Sequence, residues 1–173
     1  FVTRIDPTQS GAASLVYSSY LGGSGFDYVI GIAVDDSGKT YIAGFTGSAA
    51  FPTTIDGNDR IMTGSNDGFF AVMSADGSTL EYSTFIGGSG QDGADGIYVD
   101  AAGNGFFAGQ TNSTDFPTTP DAFQPAHGGD RDAFVVLLSA DFSRLIYSTY
   151  MGGTAFDTGR SACFGPQGEL CVT

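Results

Sequence analysis

A 65-residue unit is written twice in succession in this chain, at residues 17–81 and 82–146, with no insertion or deletion between the copies. Tyr17-Ser18, Gly22-Gly23-Ser24-Gly25, Asp27, Gly31-Ile32, Val34-Asp35, Phe51-Pro52-Thr53-Thr54, Asp67 and Phe69 return as Tyr82-Ser83, Gly87-Gly88-Ser89-Gly90, Asp92, Gly96-Ile97, Val99-Asp100, Phe116-Pro117-Thr118-Thr119, Asp132 and Phe134. A third copy opens at Tyr147 and carries Gly152-Gly153 and Asp157 before the sequence stops at Thr173, while residues 1–16 read as the tail of a preceding copy. The whole chain is therefore one repeat array. Each unit needs neighbours to bury its apolar faces.

Each copy predicts four strands. In the first, 31–35 and 39–46 form a hairpin about Asp36-Ser37-Gly38, a long loop carries Phe51-Pro52-Thr53-Thr54, and 68–74 and 80–86 form a second hairpin. The second copy repeats this at 96–100, 105–111, 133–139 and 145–151. Phe69 to Met73 and Phe134 to Leu138 are apolar at consecutive positions. A strand with one wet face would alternate, so these are expected to be covered on both faces. Helices are not expected, because Gly or Pro interrupts every window of useful length.

Composition narrows the setting. The formal charge of −13 repels a phosphate backbone and an anionic membrane alike, so neither nucleic acid nor membrane insertion is expected. Lys39 is the only lysine, and no apolar run approaches the ~20 residues a membrane-spanning helix needs. The chain opens at Phe1 in mid-pattern without an initiating Met, which predicts that the parent protein extends further toward its N-terminus.

Four antiparallel strands per repeat, covered by like neighbours on both faces, describe the blade of a β-propeller. Tyr82 to Gly88, Gly96 to Asp100, Gly103-Asn104, Phe116 to Pro120 and Asp132 to Val135 together resemble the bacterial β-propeller repeats called SBBP. The resemblance covers essentially the whole chain. It implies a secreted or cell-surface propeller with no general catalytic activity. The third copy departs from the pattern, with Ser161-Ala162-Cys163-Phe164-Gly165 where Gly-Ile-Ala-Val-Asp is expected.

The fold expectation is thus all-β: two complete blades, an outer strand pair at the N-terminus (1–5 and 15–21) and an inner pair at the C-terminus (161–164 and 169–173). That is about three blades' worth, with half a blade at each end. Propellers close with about four to eight blades. Completion is therefore expected either from sequence beyond this chain or from other copies of it, the latter giving a ring or a filament.

Asp27, Asp92 and Asp157 recur at the start of the innermost strand of successive copies. In a closed ring they would surround one mouth of the channel and could hold Ca²⁺. The competing reading, favoured because no Asp-x-Asp-x-Asp-Gly loop is present, is that each accepts backbone N–H groups and fixes its own Gly-rich turn. Gly22-Gly23-Ser24-Gly25 leads into a strand and not a helix, so it is read as a turn and not a phosphate cradle. Phe51 and Phe116 are expected to plug the gap between neighbouring blades, leaving the variable stretches 55–66 and 120–131 for specific contact. His127 is the only histidine and has no counterpart in the first copy, which argues against a Ser-His-Asp hydrolase. Asn112-Ser113-Thr114 is a formal glycosylation sequon. With a hairpin centred on Gln167, Cys163 and Cys171 oppose one another and a disulfide is expected between them.

The functional expectation is a non-catalytic extracellular module for adhesion, ligand binding or assembly, with glycans, surface proteins or further copies as partners. The competing class is a glycan-active hydrolase or lyase using rim carboxylates. That chemistry requires two carboxyl groups about 5–10 Å apart in a sugar-sized cleft.

Overall fold

A computed structural model describes residues 1–165 and 169–173. The chain is all-β. Its strands are β1 (Val2–Ile5), β2 (Leu15–Ser19), β3 (Asp27–Val34), β4 (Thr40–Thr46), β5 (Asp67–Met73), β6 (Leu80–Ile86), β7 (Asp92–Val99), β8 (Gly105–Thr111), β9 (Asp132–Leu138), β10 (Leu145–Met151), β11 (Ala162–Phe164) and β12 (Leu170–Val172). A 3₁₀ turn, Gly11–Ser14, joins β1 to β2. Among the described residues no helix is long and apolar enough to cross a membrane.

Two four-stranded antiparallel sheets run β3-β4-β5-β6 and β7-β8-β9-β10, flanked by the separate pairs β1-β2 and β11-β12. Sheet order follows chain order, as consecutive hairpins dictate. The first strand of each complete sheet is longer than the sequence suggests: β3 and β7 begin at Asp27 and Asp92, four residues before Gly31 and Gly96. A bulge carries the strand through, between Val29 and Gly31 in β3 and between Ala94 and Gly96 in β7. The turn expected at Gln167 lies outside the described residues.

The terminal pairs repeat the geometry of the complete sheets. β1 and β2 join with Arg4 opposite Tyr17 and a shift before Ile5, as β5 and β6 join with Val72 opposite Tyr82 and a shift before Met73. β11 and β12 place Ala162 opposite Val172, the register in which Ile97 faces Phe107 and Ile32 faces Ile42.

The sheets stack face to face in chain order. One core lies between the two complete sheets, where Tyr41, Phe70, Val72 and Tyr82 meet Phe107, Phe116, Phe134 and Tyr150. A second lies between β1-β2 and the first sheet, where Val2 meets Ile42, Phe51, Phe69 and Phe85. Both faces of β5 are thereby covered, and all seven of its residues are buried. Close approach at these first strands requires glycine: a Cβ on Gly31 would come within 2.8 Å of the Ile97 side chain, and one on Gly96 within 2.9 Å of the Ser161 backbone.

Phe51 and Phe116 lie in these inter-sheet cores, with ring centroids 4.4 Å from Phe69 and 4.5 Å from Phe134 respectively. The loops that follow turn back along the outer edges. Thr54 N–H donates to the Ser83 carbonyl and Phe85 N–H to that of Asp59, while Thr119 N–H donates to Ser148 and Tyr150 N–H to Gln124. Each long loop thus caps the free edge of its own sheet, which would otherwise invite pairing with another chain.

Candidate functional site

The recurring aspartates belong to turns. Asp27 Oδ2 accepts the Gly23 N–H at 2.8 Å, Asp92 Oδ2 that of Gly88 at 2.9 Å, and Asp157 Oδ2 that of Gly153 at 2.8 Å. A five-residue turn that opens on glycine and is closed by the carboxylate of its last residue is the same device three times over. The carboxylates are not gathered into one site, and no group of three metal-ligating acidic, His or Cys side chains forms among the described residues. The Ca²⁺ reading of Asp27, Asp92 and Asp157 therefore finds no common centre. Each residue stands in its own copy.

Asp67 and Asp132, which start the third strand of each sheet, also close turns, accepting from Thr63 and Gly64 and from Gly128 and Gln124. They bring a second carboxylate to each junction. Asp67 and Asp92 crowd the same side of Gly87, and Asp132 and Asp157 the same side of Gly152. Burial pushes the Asp67 carboxyl up to about 6, against the hydrogen bonds from Thr63 and Gly64 and with added repulsion from Asp92.

Next to this junction the two copies stop resembling one another. Phe26, Tyr28 and Phe45 form an aromatic cluster in the first copy, Tyr28 stacked on Phe45 at 5.0 Å and Phe26 edge-on to Phe45 at 6.2 Å. The corresponding positions of the second copy are Gln91, Gly93 and Gln110, and Asn66 is matched by Arg131. Between them lies a cleft of 240 Å³ lined by Phe26, Phe45, Asn66, Gln91, Asp92, Gly93, Gln110 and Arg131. Backbone bridges join Asn66 to Gln91 and Arg131 to Phe156.

The polar wall of the cleft is prearranged. Arg131 Nη1 donates to Gln110 Oε1 at 2.9 Å and Nη2 to Gln91 Oε1 at 3.3 Å, and its guanidinium lies 5.0 Å over the Phe156 ring. Gln110 Nε2 in turn donates to Asp95 Oδ2 at 3.4 Å. Asp95 is the bulge residue of β7, buried, with an Oδ1 that accepts no hydrogen bond among the described residues. Burial pushes its carboxyl up, opposed by Arg160 and Arg131. Ile30 holds the equivalent place in the first copy, so the chain Asp95, Gln110, Arg131, Gln91 exists only once. Arg131 lies in the variable stretch 120–131 expected to make specific contacts, whereas Gln91, Asp95 and Gln110 were not expected there, although each is a polar residue at a repeat position that is apolar in the first copy (Phe26, Ile30 and Phe45).

A second cleft, of 320 Å³, lies between the complete sheets and is lined by Phe85, Ile86, Pro117, Val136, Leu138 and Leu145 with Asp59 and Asp115 at its margin. Its apolar lining has mostly apolar counterparts one repeat away, so the residues that form it follow the repeat and are not specific to one copy. Hydrogen bonds from the Ser89 backbone and hydroxyl hold Asp115 below the usual carboxylate range, the opposite of what a general acid requires. His127 stands edge-on to Tyr150 at 5.6 Å, with no part in either cleft's lining.

Asn112 is exposed on the turn after β8, where its side-chain oxygen accepts the Gln91 N–H at 2.5 Å. Cys163 and Cys171 are direct partners across β11 and β12, both exposed and both free thiols in this structure. Ser161 and Thr173 exchange backbone hydrogen bonds two residues away, so alternation makes the cysteines a hydrogen-bonded pair as well. Such pairs stand about 5.5 Å apart at Cα, within disulfide range. No family model matches the chain, and no curated protein is similar to it.

Proposed function

We propose that the chain is a stretch of β-propeller, each four-stranded sheet a blade, serving outside the cell as a non-catalytic binding module. The SBBP resemblance and the face-to-face stacking of like sheets support the architecture. The contact site is the cleft between Phe26 and Phe45 on one side and Gln91, Gln110 and Arg131 on the other. One observation carries this reading. Two copies that agree at turns, cores and plugs differ in chemistry on the two walls of a single cleft.

Aromatic side chains beside amides and a guanidinium suit a ligand with one apolar face and several hydroxyl groups, as a sugar ring has. The size fits a single ring better than an extended ligand, being somewhat below the ~300 Å³ from which larger small-molecule pockets start. A net charge of −13 disfavours polyanions, so the ligand class is a neutral glycan. Asp92 is the only acidic residue of the lining, and its Oδ2 is occupied by the Gly88 N–H and the Ser113 hydroxyl. The pair of carboxylates a glycan-cleaving enzyme needs is not assembled there.

Calorimetric titration with a panel of neutral mono- and oligosaccharides tests this. Binding that falls at least tenfold with Arg131→Ala and with Phe45→Ala supports it. A folded protein that binds no member of the panel, or binds equally well after both substitutions, refutes it.

A further inference from the structure

Every residue lining the cleft of Phe45 and Arg131 belongs to the two complete copies, and the polar wall has a fixed hydrogen-bonding direction. An amide side chain can present its oxygen or its nitrogen, and the groups at either end decide which. A guanidinium only donates, so Gln110 and Gln91 both turn their oxygens toward Arg131. Behind Gln110, the buried Asp95 carboxylate accepts from the amide nitrogen and holds the same orientation from the other side. A donor at one end and an acceptor at the other leave Gln110 a single way round.

That orientation consumes oxygens and spares nitrogens. The side-chain oxygens of Gln91 and Gln110 are engaged by Arg131, and that of Asn66 accepts from the Ser65 hydroxyl at 3.4 Å. Asp92 Oδ2 is taken by the Gly88 N–H and the Ser113 hydroxyl. By contrast, the Gln91 amide nitrogen and Arg131 Nε donate to no partner among the described residues. Arg131 also forms no ion pair among them, and its guanidinium rests on the Phe156 ring. The cleft therefore joins a wall with donors to spare to the apolar rings of Phe26 and Phe45.

Such a site favours a ligand that brings an acceptor without a proton of its own. A sugar hydroxyl accepts, but it must also place its hydrogen, and the oxygens of this wall are already engaged. An acetamido group meets both walls, with a carbonyl oxygen that only accepts and a methyl group that is apolar. We infer that the cleft selects an N-acetylated amino sugar, its amide carbonyl accepting from Arg131 and Gln91 and its ring and methyl lying against Phe45 and Phe26. The inference rests on the reading of this cleft as a site for a neutral glycan and narrows that reading to one class.

Calorimetric titration with N-acetylglucosamine, glucose and glucuronate tests it. N-acetylglucosamine is expected to bind about tenfold or more tighter than glucose, the worth of one charge-assisted hydrogen bond. Gln91→Glu keeps the side chain's shape and its oxygen for Arg131 but replaces the spare donor with an acceptor. Gln91 is exposed, and a melt confirms that the variant folds. The variant is expected to lose the preference for the acetylated sugar while its affinity for glucose stays within about threefold. Equal binding of N-acetylglucosamine and glucose by the unmodified protein would overturn the inference and leave the neutral-glycan reading standing. A preference that survives Gln91→Glu, or a parallel loss of both sugars, would overturn it as well. Tighter binding of glucuronate would show that the donors serve a carboxylate, against the inference, and binding of no sugar at all would remove both readings.

Discussion

β3 and β7 occupy the same place in two copies of one repeat, carry the same bulge and pair with their neighbours in the same register, yet one is largely exposed and the other largely buried. The difference is not in the strands. β7 has a complete sheet on one side and the segment leading to β11 on the other, while β3 has such a neighbour on one side only. Burial in this architecture is conferred by the adjacent unit, which is why a repeat array gains stability from each junction it forms. A strand's hydrophobicity states what it needs and leaves open whether it has it.

The largest contrast is expected from two equivalent glycines. A Cβ on Gly44 would run into the Tyr28 carbonyl oxygen, and one on Gly109 into that of Gly93, with a ring of Phe69 or Phe134 close behind. The clash is the same, but β3 has an uncovered face toward which it can shift and β7 does not. Gly109→Ala is expected to cost about 3 kcal/mol or more and Gly44→Ala about 1–2 kcal/mol by urea denaturation. Equal costs would show that β3 is held as rigidly as β7.

Truncating the equivalent isoleucines isolates the covering sheet. Ile97→Ala removes a partly buried side chain and is expected to cost about 1.5 kcal/mol. Ile32→Ala, at 57 % exposure, is expected to cost less than about 0.5 kcal/mol when measured on dilute, unassociated protein. A matching loss at Ile32 would mean that its exposed face is already covered in solution.

The smallest effect is electrostatic and belongs to the junction between the complete sheets. Burial pushes Asp67 up to about 6 from its ordinary 3.8, so the folded state holds that proton more tightly than the unfolded chain does. Its contribution to stability is full below 3.8 and is lost as pH rises through about 6. Asp92 and Asp95, also pushed up by burial, act in the same direction. Raising the pH from about 4.5 to about 7.5 is expected to lower stability by roughly 1–2 kcal/mol at Asp67, read as a falling urea midpoint. Asp76 and Asp141, held down to about 2 by hydrogen bonds from Ser74 and Ser78 and from Ser139 and Ser143, act oppositely and only in acid. A midpoint that rises across the neutral range would remove Asp67 as the controlling group.

Periodicity alone was enough to read eight strands, their hairpin order and the plugging role of Phe51 and Phe116, because a side chain repeated at a fixed interval in the chain meets the same surroundings in each unit. It misplaced the start of the first strand of each complete sheet by four residues. Asp27 to Ile30 lack a strand-like alternation, and only the bulge before Gly31 lets pairing continue through them. The aspartates were legible as turn residues from their fixed distance to the paired glycines. The cleft was not legible. Phe26, Phe45, Gln110 and Arg131 come from separate strands and loops of two copies, and no spacing in the chain announces that they face one another.

What the sequence by itself determined is therefore the unit: a four-stranded antiparallel motif whose apolar strands demand cover on both faces. Tertiary structure decided which units receive that cover, where two neighbouring copies face each other with unlike side chains, and which strand edges stay open. Those properties depend on contacts between units tens of residues apart, whose free energy arises from the shape and burial of the assembled junction and not from any local run of residues.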